Sequence, residues 1–351
     1  MHASPWYQAP IHPLDQASKQ AAQQRQMQLT KPPGSLGQLE ELAIRLASMQ
    51  WRSHPAINSV RIVIFAADHG IAAHGVSAFP QSVTVEMIRN FSRGGAAISV
   101  LAQQLGAHLQ VMDVGALTDV GPLPGVVSHR CGAGTEDFRH QPAMTMEALE
   151  QALDAGKHVI EQLHKAGCDL FVGGEMGIGN TTSASALLCA YGEVAPEQAV
   201  GPGTGVDQAG MERKVAAMTE ALTCHGHALS NPVEVLRRLG GFEIAALAGA
   251  YIRAAQLGVP VMVDGFICSA AALAAEQICP GVMQWSFLSH RSAEPAHAGL
   301  CGLLDLEPIL DLGMRLGEGS GAALAVPVLR MACALHNEMA TFEQAGVSGG
   351  A

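Results

Sequence analysis

The chain has 351 residues, 48% of them hydrophobic, and carries a formal charge of -11 with a pI near 5.7. That length and apolar content can bury a large core, which excludes a disordered chain and favours one large domain with an accessory one. The acidic balance, with no basic stripe, excludes an electrostatic grip on nucleic acid, and no apolar stretch approaches the ~20 residues of a membrane span.

The opening segment, from Met1 to Gln16, lacks the apolar stretch of a secretory signal. The eight cysteines, at 131, 168, 189, 224, 268, 279, 301 and 333, are scattered mostly in apolar runs without a C-x-x-C pair. They read as reduced, core-filling thiols, and a cytoplasmic location is expected. Residues 15 to 50 read as two helices broken by Lys31-Pro32-Pro33-Gly34-Ser35-Leu36-Gly37, the second carrying Leu39, Leu42, Ala43, Leu46 and Met49 at helical spacing.

From Val60 an apolar run through Ala67 ends in Asp68-His69-Gly70, the form of a buried parallel strand that delivers polar residues at its carboxyl end. Comparable runs end at Asp113, Gly173 and Asp264. Helical stretches lie between them. One covers 145 to 166 with Leu149, Leu153, Gly156, Ile160 and Leu163 on one face, and another covers 211 to 222 with Met211, Val215, Met218 and Leu222. Strand and helix in alternation predict right-handed crossovers, hence an α/β fold with a parallel sheet covered by helices on both faces. A closing helix is expected from about Ala322 to Phe342, followed by a Gly-rich tail. Low aromatic content, 4%, beside 39 glycines suits close-packed helices on a sheet.

Four Gly-rich segments follow apolar runs: Gly173 to Thr182, Gly201 to Asp207 with Thr204 inside it, Leu239 to Glu243, and Gly317 to Gly321. Each alone reads as a tight turn; together they suggest backbone amides and helix starts turned toward a phosphate-bearing small molecule. None has the spacing of a nucleoside-triphosphate loop, and Gly174 to Gly179 is not the dinucleotide pattern. Glu318, between two glycines and ahead of Ala322-Ala323-Leu324-Ala325, is the candidate base, because apolar surroundings raise a carboxyl toward neutral pH. Glu175 has a similar setting. The pairs His69 with His74, and His290 with His297, lack the spacing of a zinc site, so no metal is expected. No G-x-S-x-G elbow supports serine chemistry.

Taken in order, Lys31 to Gly37, Ala67 to Gly70, Gly75-Val76-Ser77 with Pro80 to Thr84, Gly174 to Thr182, Ser289 to Pro295 and Gly317 to Ala323 resemble the nicotinate-nucleotide–dimethylbenzimidazole phosphoribosyltransferase family over nearly the whole chain. Ser320 keeps a hydroxyl where the family also uses Thr. The resemblance implies a Rossmann-like parallel sheet in a large domain (56–321), a small helical domain from both chain ends (1–55 and 322–351), a homodimer and no cofactor. It implies Glu318 as general base, with Glu175 beside it. It further implies a donor phosphate and ribose held by Gly177, Gly179, Asn180, Thr181, Lys214 and Ser292, and a benzimidazole near Ser77, Gln81 and Glu318, with Gly317 and Gly319 flanking the base. The expected partners are small molecules: nicotinate mononucleotide and a benzimidazole. Two rival readings differ in class. A nicotinamide oxidoreductase would need a dinucleotide fingerprint after the first strand, where Asp68 to Gly75 stands. A non-catalytic binding protein would have lost the carboxylate at 318, which this chain retains.

Overall fold

The computed structural model describes residues 5–203 and 205–348. Seven parallel strands form one sheet in the order β3-β2-β1-β4-β5-β6-β7: β1 Val60–Ala67, β2 His108–Gly115, β3 Val126–Ser128, β4 Leu170–Met176, β5 Val261–Val263, β6 Ser286–His290 and β7 Pro308–Leu310. The helices in chain order are α1 Gln16–Gln28, α2 Gln38–Gln50, α3 Ser82–Arg93, α4 Ala97–Leu105, α5 Met146–Lys165, α6 Asn180–Gly192, α7 Pro196–Ala199, α8 Gln208–His225, α9 Pro232–Leu239, α10 Phe242–Leu257, α11 Phe266–Ile278, α12 His297–Leu304, α13 Ser320–Glu338 and α14 Phe342–Ala345. Among the described residues no helix is long and apolar enough to cross a membrane.

The four expected strand runs are all present. Two continue past their expected ends: β2 runs to Gly115 and β4 to Met176, which carries Glu175 inside the ladder opposite Phe65. The short strands β3, β6 and β7 were not anticipated, because two or three ladder residues leave too little pattern to read.

The Gly- and Ala-rich composition is used at the contact between α5 and α10. A Cβ at Gly156 would run into the carbonyl of Ala246 and come within 2.6 Å of the Ala250 nitrogen, and one at Gly249 would lie 2.8 Å from Leu153 Cα. The two backbones therefore touch where each helix has no side chain. This lets α10, almost wholly buried, lie close under the sheet.

For α8 the expected stripe is not the buried one. Gly210, Lys214, Ala217, Met218 and Ala221 face inward, while Met211, Val215 and Leu222 are only partly covered. A lysine at the centre of the buried face hid it from a hydrophobic pattern. The closing helix stops at Glu338; Met339 and Ala340 follow, and Thr341 caps α14 with a capping box.

The two chain ends meet. The Arg25 guanidinium of α1 donates to the carbonyls of His336 (2.6 Å), Asn337 (2.7 Å) and Met339 (3.3 Å), which the end of α13 leaves without helical partners. The break between α1 and α2 is closed by the buried Lys31, 2.8 Å from Glu40, whose carboxylate also accepts the amides of Gly34 and Leu36.

Candidate active site

A cavity of about 390 Å3 opens at the carboxyl ends of β4, β5 and β6, where a doubly wound sheet leaves a crevice. Its polar lining comes from Glu175 near the end of β4, Asp264 just after β5, His290 at the end of β6 and Glu318 from the loop before α13. Phe79, Val83, Met87, Met176 and Phe266 supply an apolar lining.

Glu318 sits in the left-handed region at φ +61°, between Gly317 at +88° and Gly319 at +75°. A non-glycine residue there stores strain, and such strain gathers at functional sites. The loop can lie on β4 only because Gly174 has no side chain: a Cβ there would come within 2.7 Å of the Glu318 carbonyl carbon and oxygen. The Glu318 side chain is 6% exposed and its Oε2 has no hydrogen-bond partner. Burial pushes its carboxyl up; the Ile98 amide opposes this and the charge of Asp264 adds to it.

Glu175 is buried and pushed up to about 8, first by burial and next by the charge of Glu243, against a hydrogen bond from the Asn180 side-chain amide to its Oε2. A side chain at Gly317 would run into its Oε1. Near neutral pH this carboxyl is mostly protonated.

The other end of the cavity is basic. Lys214, 1% exposed, donates to Thr181 Oγ1 (3.2 Å) and the Gly201 carbonyl (3.0 Å); burial lowers it to about 8, opposed by the charge of Glu294. Arg315 lines the cavity and donates to the Gly203 carbonyl at 3.0 Å. A Cβ at Gly203 would come within 2.8 Å of Thr181 Oγ1 and 2.9 Å of Lys214 Nζ, so that glycine lets its loop lie against the side chains of α6 and α8. Thr204, in the expected Gly-rich segment, lies outside the described residues.

Of the residues singled out in the sequence, Glu175, Gly177, Asn180, Thr181, Ser292, Gly317 and Glu318 line this one cavity. Gly179 and Gly319 precede the first residues of α6 and α13 in left-handed geometry, and Lys214 stands behind Thr181. Ser77 and Gln81 do not line it. The Gln81 amide donates to the His69 carbonyl at 2.8 Å, and the Ser77 hydroxyl accepts from the Phe79 amide at 3.2 Å; Phe79 and Val83 are the members of that segment that reach the cavity. Asp264, Glu294, Arg315 and Met87 were not anticipated as lining residues. Asp264 ends a strand run, which was a usable signal; Arg315 and Met87 stand in no motif.

His69, His74 and His297 are engaged in hydrogen bonds, whereas the buried Nδ1 of His290 has no partner among the described residues. His69 is fully buried, with Nε2 2.6 Å from Glu243 and Nδ1 3.0 Å from the Ser183 hydroxyl, and His74 lies 2.8 Å from Asp137. His297 accepts the Ser292 amide at Nδ1 (2.9 Å) and is 3.0 Å from the Ser269 hydroxyl at Nε2. Burial lowers it to about 4, so it is neutral and orients Ser292 at the cavity. Among the described residues no three His, Cys, Asp or Glu are grouped to hold a metal.

A parallel α/β sheet whose crevice joins a buried carboxyl pair, an apolar lining and a lysine-backed glycine loop has the make-up of an enzyme that acts on a small molecule. A phosphoribosyltransferase family model matches residues 11–347. The chain is 57% identical to nicotinate-nucleotide–dimethylbenzimidazole phosphoribosyltransferase of Xanthomonas oryzae over 95% of its length and 96% of the relative's, and 52% identical to that of Ectopseudomonas mendocina over 98% of each. The crystal structure of the Thermus thermophilus enzyme of the same name superposes with a TM-score of 0.91 at 42% identity, covering 96% of this chain and all of that one. The chain belongs to the nicotinate-nucleotide–dimethylbenzimidazole phosphoribosyltransferase family.

Proposed function

We propose that this chain moves the 5-phosphoribosyl group of nicotinate mononucleotide to 5,6-dimethylbenzimidazole, giving nicotinate and α-ribazole 5'-phosphate for the nucleotide loop of cobalamin. The relatives' names describe this transfer, and the observation that carries it here is Glu318: a strained, buried carboxylate with an unpartnered oxygen in a cavity that also has an apolar lining.

The donor's ribose is joined to a positively charged pyridinium, so its C–N bond breaks with the electron pair returning to the ring, and neutral nicotinate ring nitrogen departs without an acid. The acceptor needs help. As one benzimidazole nitrogen bonds to the anomeric carbon, the N–H of the other becomes acidic, and Glu318 takes that proton. A positioned base contributes about 10² to 10⁴ in rate, and holding both rings in line adds to it. Attack on the face opposite the departing pyridinium inverts the centre and gives the α-nucleotide. Glu175, protonated near neutral pH, offers a proton donor beside the reacting atoms without adding a second full negative charge.

In this reading the donor phosphate and ribose lie against Gly177, Gly179, Asn180, Thr181 and Ser292, with Lys214 behind them and Arg315 at the rim. The benzimidazole lies against Phe79, Val83, Met87 and Met176, with Ser77 and Gln81 shaping that loop and Gly317 and Gly319 holding the base. No pyrophosphate leaves, so the chemistry calls for no metal. The reading includes a cytoplasmic homodimer; the partly covered Met211 and Val215 of α8 are consistent with a subunit contact.

The test is to incubate purified protein with nicotinate mononucleotide and 5,6-dimethylbenzimidazole and to follow nicotinate and the nucleotide by mass spectrometry and anomeric NMR coupling. The α-nucleotide is expected; a β-configured product would refute the inverting attack, and no product with any benzimidazole would refute the assignment.

A further inference from the structure

The N-cap of helix α13 is Gly319, which has no side chain to cap it, yet the residues of its first turn are buried. The acceptor comes from another element. Asp264, 1% exposed at the end of β5, accepts the Gly319 amide at Oδ2 (3.1 Å) and the Ala322 amide at Oδ1 (2.8 Å). It therefore caps α13 across the sheet, and its charge meets the positive end of the helix.

The capped amide belongs to the last of three consecutive left-handed residues, Gly317, Glu318 and Glu318's neighbour Gly319. A loop in that conformation persists only where its surroundings over-determine it. Here three contacts do so: Gly174 beneath the Glu318 carbonyl, the Ser320 hydroxyl donating to the Gly317 carbonyl at 2.7 Å, and Asp264. Asp264 grips the loop next to the base and also grips the helix that follows it. On its far side Oδ1 lies 3.7 Å from His290 Nε2, and the His290 ring packs so closely on Gly321 that a Cβ there would overlap it. The last residue of β6 thus backs the carboxylate that ends β5.

We propose that Asp264 is a positioning residue for the transfer, holding the Gly317–Gly319 loop so that the Glu318 carboxylate meets the acceptor's N–H; this rests on Glu318 being the base. A displacement of about 1 Å in a catalytic group costs about 10² in rate, so loss of the cap should be felt in turnover and little in donor binding.

The variants Asp264→Asn, Asp264→Glu, Glu318→Gln and Asp264→Asn/Glu318→Gln are compared for kcat and for nicotinate mononucleotide affinity by calorimetry. Asparagine presents an NH2 to one of the two amides, and glutamate keeps the charge while pushing the carboxylate out of register. Both singles are expected to lose about 10- to 100-fold in kcat with donor affinity within about threefold. The double variant should be no slower than Glu318→Gln, because Asp264 has nothing left to position. General damage to the fold would instead multiply the two losses. Wild-type kcat in either Asp264 variant, or a double variant whose loss is the product of the singles, would overturn the proposal. An inactive wild-type protein would refute the assignment of the reaction.

Discussion

Replacing Glu175 with Gln should make the protein more stable and less active. The buried carboxyl titrates near 8 instead of its ordinary 4.5, so at pH 7 the folded state holds a proton that the unfolded chain has released. A carboxyl raised on folding contributes its full stability below about pH 4.5 and loses it as pH climbs through 8. At pH 7, 2.5 units above the unfolded value, the loss is about 3 kcal/mol at 1.36 kcal/mol per unit. Glutamine imitates the protonated form at every pH, and its oxygen can still accept the Asn180 amide. With an unfolding entropy of about 0.7 kcal/mol per degree for 351 residues, the variant should melt about 4 °C higher at pH 7, with the gap below about 1 °C at pH 5 and wider at pH 8. Calorimetric or fluorescence melting of both proteins across that range is the assay. A gap that stays constant with pH would refute the claim that Glu175 carries a proton on folding, whatever its size.

Glu318→Gln should lower kcat by about 10² to 10⁴ while calorimetry finds donor affinity nearly unchanged; normal turnover would remove Glu318 from the mechanism. Lys214, lowered to about 8, is charged below that pH and neutral above it, so donor affinity should weaken as pH rises through 8. Lys214→Ala should start weaker and lack that dependence, and an equal slope in both proteins would locate the titration elsewhere. Gly156→Ala places a methyl against the backbone of α10 and should destabilise by about 1 to 3 kcal/mol; an unchanged urea midpoint would show that the helices can part without cost.

Much of the fold was legible because β1 is buried on both faces, so its run from Val60 to Ala67 is almost continuously apolar and ends in polar residues where the ladder stops. The same logic located Asp113 and Asp264. It failed for β6, whose five residues include Ser286, Ser289 and His290, all buried but polar, and for the face of α8 centred on Lys214. Polar residues are buried there, and a hydrophobic pattern reads them as solvent-facing. At the site, glycines marked places of close approach: Gly174 under the Glu318 backbone, Gly317 against the Glu175 carboxyl, Gly203 against the side chains of Thr181 and Lys214. The apolar wall was less legible, since Phe79 and Met87 are ordinary hydrophobics until the fold turns them to the cavity. We also propose dividing the chain into 56–321 and a helical unit of 1–55 with 322–351, supported by Arg25 and the end of α13, although α13 packs on α4 and β6 as well.

The distribution of charge follows from the proposed donor, which carries a cationic ring at one end and a phosphate at the other. Glu175, Asp264 and Glu318 come together at the strand ends, while Lys214 and Arg315 flank the loops around Gly203. Packing three acids together is unfavourable in a low-dielectric interior: beyond burial itself, Asp264 raises the carboxyls of Glu175 and Glu318, and Glu318 raises that of Glu175. In the proposed reaction the positive charge that develops on the ribose as its bond to the pyridinium breaks relieves that repulsion. Bonding of the acceptor to the ribose restores it, at the step where Glu318, the proposed base, accepts a proton. On this proposal the carboxyl cluster acts on the transition state more than on donor binding, and supplies the base at the step where the positive charge disappears. A cluster built only for stability would have neutralised Asp264 or Glu318 with a nearby lysine or arginine. Instead the two cations lie by Glu294, whose carboxyl burial still raises although their charges oppose it.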